Sequence, residues 1–256
     1  MGVVNITPDS FSDGGRFFDP QQAIAHARRI ADEGADIIDI GGESTRPGAA
    51  PVAEADELKR ILPVVTEIED LCVSVDTRRP AVMKAVLEAG ASMINDVDAL
   101  AAPGALEAVA GSKCAVCLMH KKGEPATMQR DPHYDDVTAE VRGFLKQRVD
   151  ATLGAGVAAE RIVVDPGFGF GKTAAHNLTL LKNLSRLSEL PILAGLSRKS
   201  TLGKITGRPV EERLAGSLAM ALLALQAGAT ILRVHDVKET RDVVAVWESF
   251  EKTLRN

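Results

Sequence analysis

Short apolar runs alternate with longer amphipathic segments along the whole chain. Eight of these runs are continuously hydrophobic, as is typical of parallel strands that are buried on both faces. The segments between them repeat their apolar residues at helical spacing, which predicts strands joined by crossover helices. The predicted strands are GVVNI (2–6), DIIDI (36–40), VSVD (73–76), MIND (93–96), AVCLM (115–119), RIVVD (161–165), PILAG (191–195) and TILRV (230–234).

The first segment between strands carries helix signals at both ends. Asp19 followed by Pro20 is typical of an N-cap with proline at the first helical position. Gly34 supplies the stop, and the apolar face between these ends contains Ala23, Ala27, Ile30 and Ala31. The join into the next strand recurs as Gly34-Ala35-Asp36, Gly90-Ala91-Ser92 and Gly228-Ala229-Thr230, which indicates a repeated βα unit.

Eight such units in 256 residues predict a (β/α)8 TIM barrel, a single domain over residues 1–256. An open, doubly wound sheet is the competing architecture, and it usually carries a glycine-rich dinucleotide motif after its first strand. The residues that follow the first strand here, Asn5-Ile6-Thr7-Pro8-Asp9, are not such a motif. The barrel is therefore favoured, with its active site at the carboxyl ends of the strands.

Charge and composition limit the classes of partner. A formal net charge of −5 gives no electrostatic reason to expect nucleic acid or an anionic membrane. The longest apolar stretch, residues 218–225, is too short to span a bilayer, and we interpret it as a helix packed inside the protein. No signal peptide precedes the first strand, and three cysteines are an odd number without a disulfide framework. We therefore expect a cytoplasmic protein.

Two short patterns resemble familiar sites and are interpreted otherwise. Cys114 and Cys117 have the spacing of a metal or redox pair, but residues three apart on a strand point to opposite faces, so buried structural thiols are favoured. Residues 165–173, DPGFGFGKT, resemble a phosphate-binding loop. That loop requires glycine where this chain has Pro166, which offers no N–H to a phosphate.

Polar side chains follow every predicted strand, so they are expected to meet at one rim. Asp76, Asn95 and Asp165 offer acceptors for a flat heterocycle with several N–H donors. Arg233 and His235, with Arg46 or Lys199 nearby, are suited to neutralise a phosphate. A helix cap or turn explains any one of these residues alone, but not the whole set. The residues predict a ligand with a nitrogen-rich ring at one end and a phosphate at the other.

Two segments rich in Gly, Ser and Pro, 7–18 and 45–52, follow the first and second strands. Taken alone, they are equally consistent with mobile lids and with ordinary surface loops. Together with the strand ends, they complete a set of motifs that resembles the dihydropteroate synthase family of pterin-binding enzymes. These motifs are NITPDSFSDGG (5–15), GGESTRPGA (41–49), VDT (75–77), IND (94–96), DPGFGFGK (165–172), SRKS (197–200) and RVHDV (233–237).

The resemblance implies an activity in folate biosynthesis. Enzymes of this family condense 6-hydroxymethyl-7,8-dihydropterin diphosphate with p-aminobenzoate, release pyrophosphate and are the targets of sulfonamides. The implied reaction is a dissociative, SN1-like substitution assisted by Mg²⁺, with Asn5 as a metal ligand. The family also implies a homodimer in which late helices form the interface. Family members usually carry a leading segment that covers the amino end of the barrel, whereas Met1 here directly precedes the first strand.

The resemblance also implies roles for individual residues. The pterin site would contain Asp76, Asn95, Met119, Asp165, Phe168 and Lys199. The diphosphate site would contain Asn5, Thr45, Arg233 and His235. The p-aminobenzoate site would contain Phe11, Pro47, Phe168, Lys199 and Ser200. Ser12, Asp13 and Arg46 would belong to the lids, and the residues acting in catalysis would be Asn5, Thr45, Arg46, Lys199, Arg233 and His235.

Two alternatives remain open. A pterin-dependent corrinoid methyltransferase shares the barrel and the pterin pocket, but it has little use for the cations of SRKS and RVHDV or for an arylamine lid. A non-catalytic pterin-binding paralogue is the second alternative, and a mere binder would not need both lids and the anion-binding residues intact. The synthase is favoured over both, with pterin diphosphate and p-aminobenzoate as its small-molecule partners.

Overall fold

The computed structural model describes residues 1–6, 19–43, 52–124 and 127–254. Within them, strands and helices alternate as the hydrophobic pattern predicts. The strands are β1 (Gly2–Asn5), β2 (Ile38–Gly41), β3 (Val73–Asp76), β4 (Met93–Asp96), β5 (Ala115–Met119), β6 (Ile162–Asp165), β7 (Leu193–Ala194) and β8 (Ile231–Leu232). The helices are α1 (Pro20–Asp32), α2 (Glu54–Glu67), α3 (Pro80–Glu88), α4 (Ala105–Ala110), α5 (Val137–Gly154), α6 (Ala174–Lys182), α7 (Ser200–Thr206), α8 (Leu214–Gln226) and α9 (Val237–Leu254).

The strands pair in parallel and in chain order. β1 to β6 form one ladder and β7 pairs with β8. The amide of Val164 donates to the carbonyl of Pro191 at 3.0 Å, which joins β6 to the β7 segment. The amide of Val3 donates to the carbonyl of Val234 at 3.1 Å, which joins the β8 segment to β1. The predicted (β/α)8 barrel is therefore confirmed. β7 and β8 are shorter than predicted because their flanking residues meet β6 and β1 only at single bridges.

The predicted punctuation of the βα units is also confirmed. Asp19 caps α1, accepting a hydrogen bond from the amide of Gln21 at 2.9 Å. The three recurring glycines, Gly34, Gly90 and Gly228, have φ angles of +99°, +103° and +100°. This left-handed region is open to glycine without the steric penalty that a side chain brings. The same backbone conformation thus ends three helices and starts the next strands.

Strand side chains divide between two hydrophobic clusters. The large cluster lies between strands and helices, and a smaller one contains Met1, Met93, Cys117, Val163 and Leu193 inside the barrel. Cys114 belongs to the large cluster and Cys117 to the inner one. Both thiols are free, and burial raises the pKa of Cys117 well above its ordinary value. The interpretation as buried thiols on opposite faces is confirmed.

The apolar stretch 218–225 lies on α8 and is buried on one side only. Met220, Ala221 and Ala224 are buried, whereas Leu223 is 49% exposed. The expectation that the whole stretch is packed inside the protein is therefore only half right. No helix in the described ranges is long and apolar enough to cross a membrane.

Candidate active site

Alternation along the strands brings the predicted rim residues to the interior of the barrel. Side chains two positions apart on a strand share a face. Met93 and Val163 belong to the inner cluster, so Asn95 and Asp165, two residues further along, also face inward at the carboxyl ends. Asp96 falls on the opposite face and accepts hydrogen bonds from the amides of Asp98 and Leu100. The alternation thus separates Asn95, which belongs to the site, from its neighbour.

Arg233 lies between two carboxylates in the mouth of the barrel. Its Nε donates to Asp39 Oδ2 at 2.6 Å, and its Nη2 donates to Asp76 Oδ2 at 3.0 Å. Asp165 is near enough to add to the field at this guanidinium. The cation expected at the phosphate end therefore adjoins the carboxylates expected at the ring end. Both ends of a ligand would meet one connected charge network.

Asp39 is a site residue that sequence reasoning missed. It is fully buried in β2, where it also accepts from Ser74 Oγ at 2.6 Å and from Asn95 Nδ2 at 3.4 Å. The available signal was an acidic residue inside the apolar run DIIDI, two positions before the strand ends. A carboxylate buried among apolar residues needs partners, and three polar side chains on neighbouring or facing strands supply them here.

Burial and mutual repulsion dominate the electrostatics of the carboxylates. Burial raises the pKa of Asp76 to about 7; Arg233 opposes this shift, whereas Asp39 and Asp96 add to it. Burial also raises the pKa of Asp165, against the Gly167 amide and nearby lysines. For Arg233, burial acts to lower the pKa, but Asp39 and Asp76 outweigh it and the net shift is upward. A ligand with N–H donors would favour the ionised form of both Asp76 and Asp165.

Lys199 approaches the site from the loop that follows β7. Its Nζ donates to the carbonyl of Phe168 at 2.8 Å and lies 4.4 Å from the centroid of the Phe170 ring. Burial lowers the pKa of Lys199 to about 8; Asp165 opposes the shift and Arg233 adds to it. Phe168 itself is only 1% exposed and packs in the large core cluster. In this structure Phe168 meets the ammonium group through its backbone carbonyl, and the ring beside that group is that of Phe170.

The loop 165–172 is held by a buried lysine. Lys172 Nζ donates to the carbonyls of Gly167 at 2.9 Å and Phe170 at 3.0 Å, and it lies 2.8 Å from His120 Nδ1. Asp165 Oδ1 accepts from the amide of Gly167 at 2.7 Å, so the same turn is fixed from both sides. The lysine that suggested a nucleotide loop therefore acts on the loop's own backbone.

Glycine is required where this loop crosses the strand-end segment after β5. Gly167 has φ +67°, and a Cβ there would lie 1.8 Å from the carbonyl oxygen of His120. The close approach and the positive φ both exclude a side chain. His120 is buried, and burial followed by the charge of Lys172 lowers its pKa to about 3. Its neutral ring acts in packing, which agrees with the interpretation of His120 as a structural residue.

His235 is tied to the neighbouring strand end. Its backbone amide donates to Ser197 Oγ at 3.3 Å, and its Nδ1 lies 3.1 Å from the same oxygen. Next to this pair, Arg198 and Asp236 form an ion pair between the segments that follow β7 and β8. The SRKS and RVHDV motifs are thus joined, and Ser197 is a second residue that the sequence did not single out.

The remaining predicted residues divide into two groups. Met119 is buried at the end of β5, and Ser200 is exposed at the start of α7. The others lie outside the described residues: Phe11, Ser12, Asp13, Thr45, Arg46 and Pro47.

Asn5 could hold a metal only together with a ligand. It ends β1 with its amide oxygen beside Gly41, which pairs with Asp76 across the β2–β3 ladder. An amide oxygen is a hard donor of the kind Mg²⁺ accepts, usually together with substrate phosphates. In the described part of the chain, no three His, Cys, Asp or Glu side chains are grouped to hold a metal. The residues fit an ion that a diphosphate shares.

Comparison with known proteins supports the geometry. The family model described as pterin binding enzyme matches residues 1–235. The dihydropteroate synthase of Haemophilus influenzae is 47% identical over 254 residues, covering 97% of this chain and 92% of the relative.

Two solved structures show the same architecture with ligands. The dihydropteroate synthase of Yersinia pestis, solved with a sulfonamide drug complex, has a TM-score of 0.93 and 47% identity, covering 98% of this chain and 93% of that one. The dihydropteroate synthase of Burkholderia cenocepacia, complexed with 7,8-dihydropteroate, has a TM-score of 0.91 and 46% identity, covering 99% and 91%.

Proposed function

We propose how this chain, which belongs to the pterin-binding enzyme family, carries out the reaction of a dihydropteroate synthase. It condenses 6-hydroxymethyl-7,8-dihydropterin diphosphate with p-aminobenzoate, forming 7,8-dihydropteroate and pyrophosphate. The observation that carries the proposal is the network of Arg233, Asp39 and Asp76 in the barrel mouth, with Asp165 beside it. It offers acceptors for the ring and a cation for the leaving group within one site.

The carboxylates bind the ring end of the substrate. Asp165 and Asp76 accept hydrogen bonds from the pterin's amino and ring N–H groups, and Asn95 supplies an amide between them. Both carboxylates are buried, so the ring's donors satisfy acceptors that otherwise carry a desolvation penalty. Lys199 reaches the oxygen and nitrogen edge of the ring from above the Phe168 carbonyl.

The cations bind the diphosphate end. The guanidinium of Arg233 and the ring of His235 approach this group from the segment that begins at β8, and the family resemblance adds Thr45, which lies outside the described residues. Asn5 would hold Mg²⁺ together with the diphosphate, and a bound Mg²⁺ would neutralise charge on the departing pyrophosphate. Arg233 places positive charge, and His235 can offer a ring N–H, where negative charge develops as the leaving group separates.

The substitution is dissociative. Departure of pyrophosphate leaves a cation at the methylene carbon, which the electron-rich pterin delocalises, and the nearby carboxylates favour that charge. The nucleophile is a neutral arylamine, which needs position more than deprotonation. Lys199 and Ser200 belong to the proposed p-aminobenzoate site. The family resemblance adds Phe11, Pro47, Ser12, Asp13 and Arg46, which lie outside the described residues, whereas the side chain of Phe168 packs in the core. Consistently, burial lowers the pKa of His120 to about 3, which makes its ring too weak a base for this role.

Pyrophosphate release tests the proposal directly. The purified protein is mixed with pterin diphosphate, p-aminobenzoate and Mg²⁺, and pyrophosphate and dihydropteroate are quantified. Omission of each component in turn serves as the control. Release that requires p-aminobenzoate supports the synthase. Pterin binding without release would indicate the non-catalytic paralogue, and methyl transfer from a methyl-pterin to a corrinoid would indicate the methyltransferase.

Sulfonamides are expected to compete with p-aminobenzoate. They mimic its aniline and its acidic group, and Phe11 and Pro47 are the residues found in sensitive members of the family. Steady-state rates measured at several sulfonamide concentrations should therefore show a raised KM for p-aminobenzoate and an unchanged kcat. Inhibition that p-aminobenzoate does not relieve would contradict the shared site.

Exposed apolar residues on the last two helices support a homodimer. Leu223 of α8 is 49% exposed, and Val246 and Phe250 of α9 are 70% and 55% exposed. A self-complementary contact would remove these side chains from water. Sedimentation equilibrium of the protein and of a Val246→Glu, Phe250→Glu variant tests this assignment. A monomeric wild-type protein at micromolar concentration would contradict it.

A further inference from the structure

Both carboxylate oxygens of Asp39 accept hydrogen bonds from other side chains of the protein. Its Oδ1 accepts from Ser74 of β3, and its Oδ2 accepts from Arg233 of the β8 segment and from Asn95 of β4. Three hydrogen bonds from three different strands leave the carboxylate fully buried, with a relative exposure of 0%. A ligand in the barrel mouth has no open route to it. Its charge therefore acts on the site through the groups that it holds.

Asp76 has the opposite character. It is 9% exposed at the end of β3 and shares Arg233 with Asp39. In the proposed function, the pterin ring binds Asp76 as well. The ring and the guanidinium therefore draw on the same carboxylate. Arg233 can release Asp76 and still keep a carboxylate partner, because Asp39 continues to accept its hydrogen bond.

We propose that Asp39 is a positioning residue, which keeps Arg233 at the diphosphate end of the site and so leaves Asp76 free to bind the pterin ring. This proposal rests on the proposed function. Without the charge of Asp39, Arg233 would pair with Asp76 alone and compete with the ring for it. The guanidinium would also lose the contact that fixes it where the diphosphate binds, so both ends of the substrate would be affected.

A purely structural role for Asp39 is the competing explanation, and Asp96 provides the matched control. Asp96 is equally buried, lies on β4, two strands away from β2, and accepts two backbone hydrogen bonds. It faces away from the site, and no hydrogen bond or ion pair among the described residues joins it to Arg233. Asp39→Asn and Asp96→Asn therefore replace the same side chain at comparable depths, and only the first changes a direct contact of Arg233.

A double-mutant cycle tests the proposal. The wild type, Asp39→Asn, Arg233→Ala and the double variant are compared by calorimetry with 6-hydroxymethyl-dihydropterin, which lacks the diphosphate. We expect Asp39→Asn to weaken binding about tenfold when Arg233 is present, as for a disrupted buried charge pair. We expect no weakening in the Arg233→Ala background, where no guanidinium competes for Asp76. Asp96→Asn should change the affinity by no more than about twofold, since it leaves the contacts of Arg233 with Asp39 and Asp76 in place and acts on Asp76 only through its more distant charge.

Two further readouts separate positioning from folding. Ser74→Ala removes one donor to Asp39 without removing its charge, so it should give a smaller loss that again disappears when Arg233 is absent. In steady-state assays, Asp39→Asn should raise the KM for pterin diphosphate and also lower kcat, whereas KM for p-aminobenzoate should stay unchanged. The binding measurements need no turnover, so they remain informative if the wild type releases no pyrophosphate. Equal losses for Asp39→Asn with and without Arg233, or no loss at all, would overturn the proposal.

Discussion

Two regions of the barrel mouth hold buried cations in contrasting ways. At the ends of β2, β3 and β8, Arg233 is paired with the carboxylates of Asp39 and Asp76. In the loop after β6, the hydrogen-bond partners of Lys172 among the described residues are all neutral, namely three carbonyls and the ring of His120. The pKa of Arg233 rises, whereas burial lowers the pKa of Lys172 to about 7. Charge partners therefore keep the guanidinium of Arg233 ionised in the first region, whereas the ammonium of Lys172 in the second region titrates near neutral pH.

The contrast has a consequence for function. The strand-end region is a network of charged side chains. A charged substrate can bind there by replacing some of the contacts between Arg233 and its carboxylates. The loop region is a backbone support whose cations, Lys172 and Lys199, bind carbonyl oxygens and leave Asp165 as the acidic group that faces the ligand. Changes in the first region should therefore alter affinity, and changes in the second should alter stability or the geometry of the loop.

The largest effect is expected where the two regions meet, at Asp165. Asp165→Ala removes the buried acceptor of the ring's donors and the partner of the Gly167 amide. We expect pterin binding to be abolished, a loss of about 4 kcal/mol or more, as for a buried charge that loses its partner. Calorimetry with 6-hydroxymethyl-dihydropterin measures it, with Asp165→Asn as the variant that keeps the shape. Unchanged affinity in the alanine variant would show that the ring binds elsewhere.

Arg233→Ala should have the next largest effect and should act on one end of the substrate. We expect about a hundredfold loss of affinity for pterin diphosphate, as for truncation of a buried ionic contact. The pterin that lacks the diphosphate should bind with unchanged or slightly improved affinity, because Asp76 is then free. Arg148→Ala is the control, since the recorded acceptors of Arg148 in the described part of the chain are the carbonyls of Ala99 and Leu100. Equal losses for both ligands would contradict separate ends.

Much of this arrangement is predictable from the chain, for a physical reason. The hydrophobic runs and glycine joins are local signals, and parallel strands in chain order bring their carboxyl ends together. Asn5, Asp76, Asn95 and Asp165 follow from that rule alone. Asp39 does not, because it sits inside a strand rather than after one. Its importance depends on Arg233, which lies 194 residues away in the chain and adjoins it only when the barrel closes.

The glycine-rich loop shows a second limit of sequence reasoning. Its residues follow neither helical nor strand periodicity, so no pattern tells which phenylalanine is buried. The structure buries Phe168 in the core and places Phe170 beside Lys199. Likewise, the partners of Lys172 are backbone carbonyls, which every residue possesses. A contact with a backbone carbonyl therefore cannot be predicted from the identity of the residue that supplies it.

The titration of Lys172 provides a prediction of intermediate size. Its pKa is about 7 in the folded protein, against 10.5 as the ordinary value. Between these values the unfolded chain carries a proton that the folded chain has lost, so folded stability rises with pH. We expect the unfolding free energy of the wild type to rise relative to that of Lys172→Met from pH 7 to 10, by up to about 1.4 kcal/mol per pH unit.

Urea unfolding at pH 7, 8, 9 and 10 measures this difference. The exposed Lys146, which pairs with Asp150 on α5, supplies the control variant Lys146→Met. Arg233 should show no such slope, because its pKa shifts upward. Parallel stability curves for the wild type and Lys172→Met would mean that Lys172 stays protonated in contact with its neutral partners. Lys172 and Arg233 would then both remain protonated over this pH range.

The smallest effect is expected at Gly169, which separates backbone strain from loop geometry. Its φ is +82°, and an added Cβ would lie 3.4 Å from Lys199 Cδ, an ordinary contact. Gly207 has a similar φ of +71° and no atom within 4 Å of such a Cβ.

Alanine at either position should therefore lower the unfolding free energy by about 1 kcal/mol. Only Gly169→Ala should also change activity, because the strained backbone at this position shifts the neighbouring Phe168 carbonyl, to which Lys199 donates. We expect its kcat/KM to fall about threefold, or about 0.7 kcal/mol, with Gly207→Ala unchanged. If both variants lose stability and neither loses activity, the position of Lys199 does not depend on this loop.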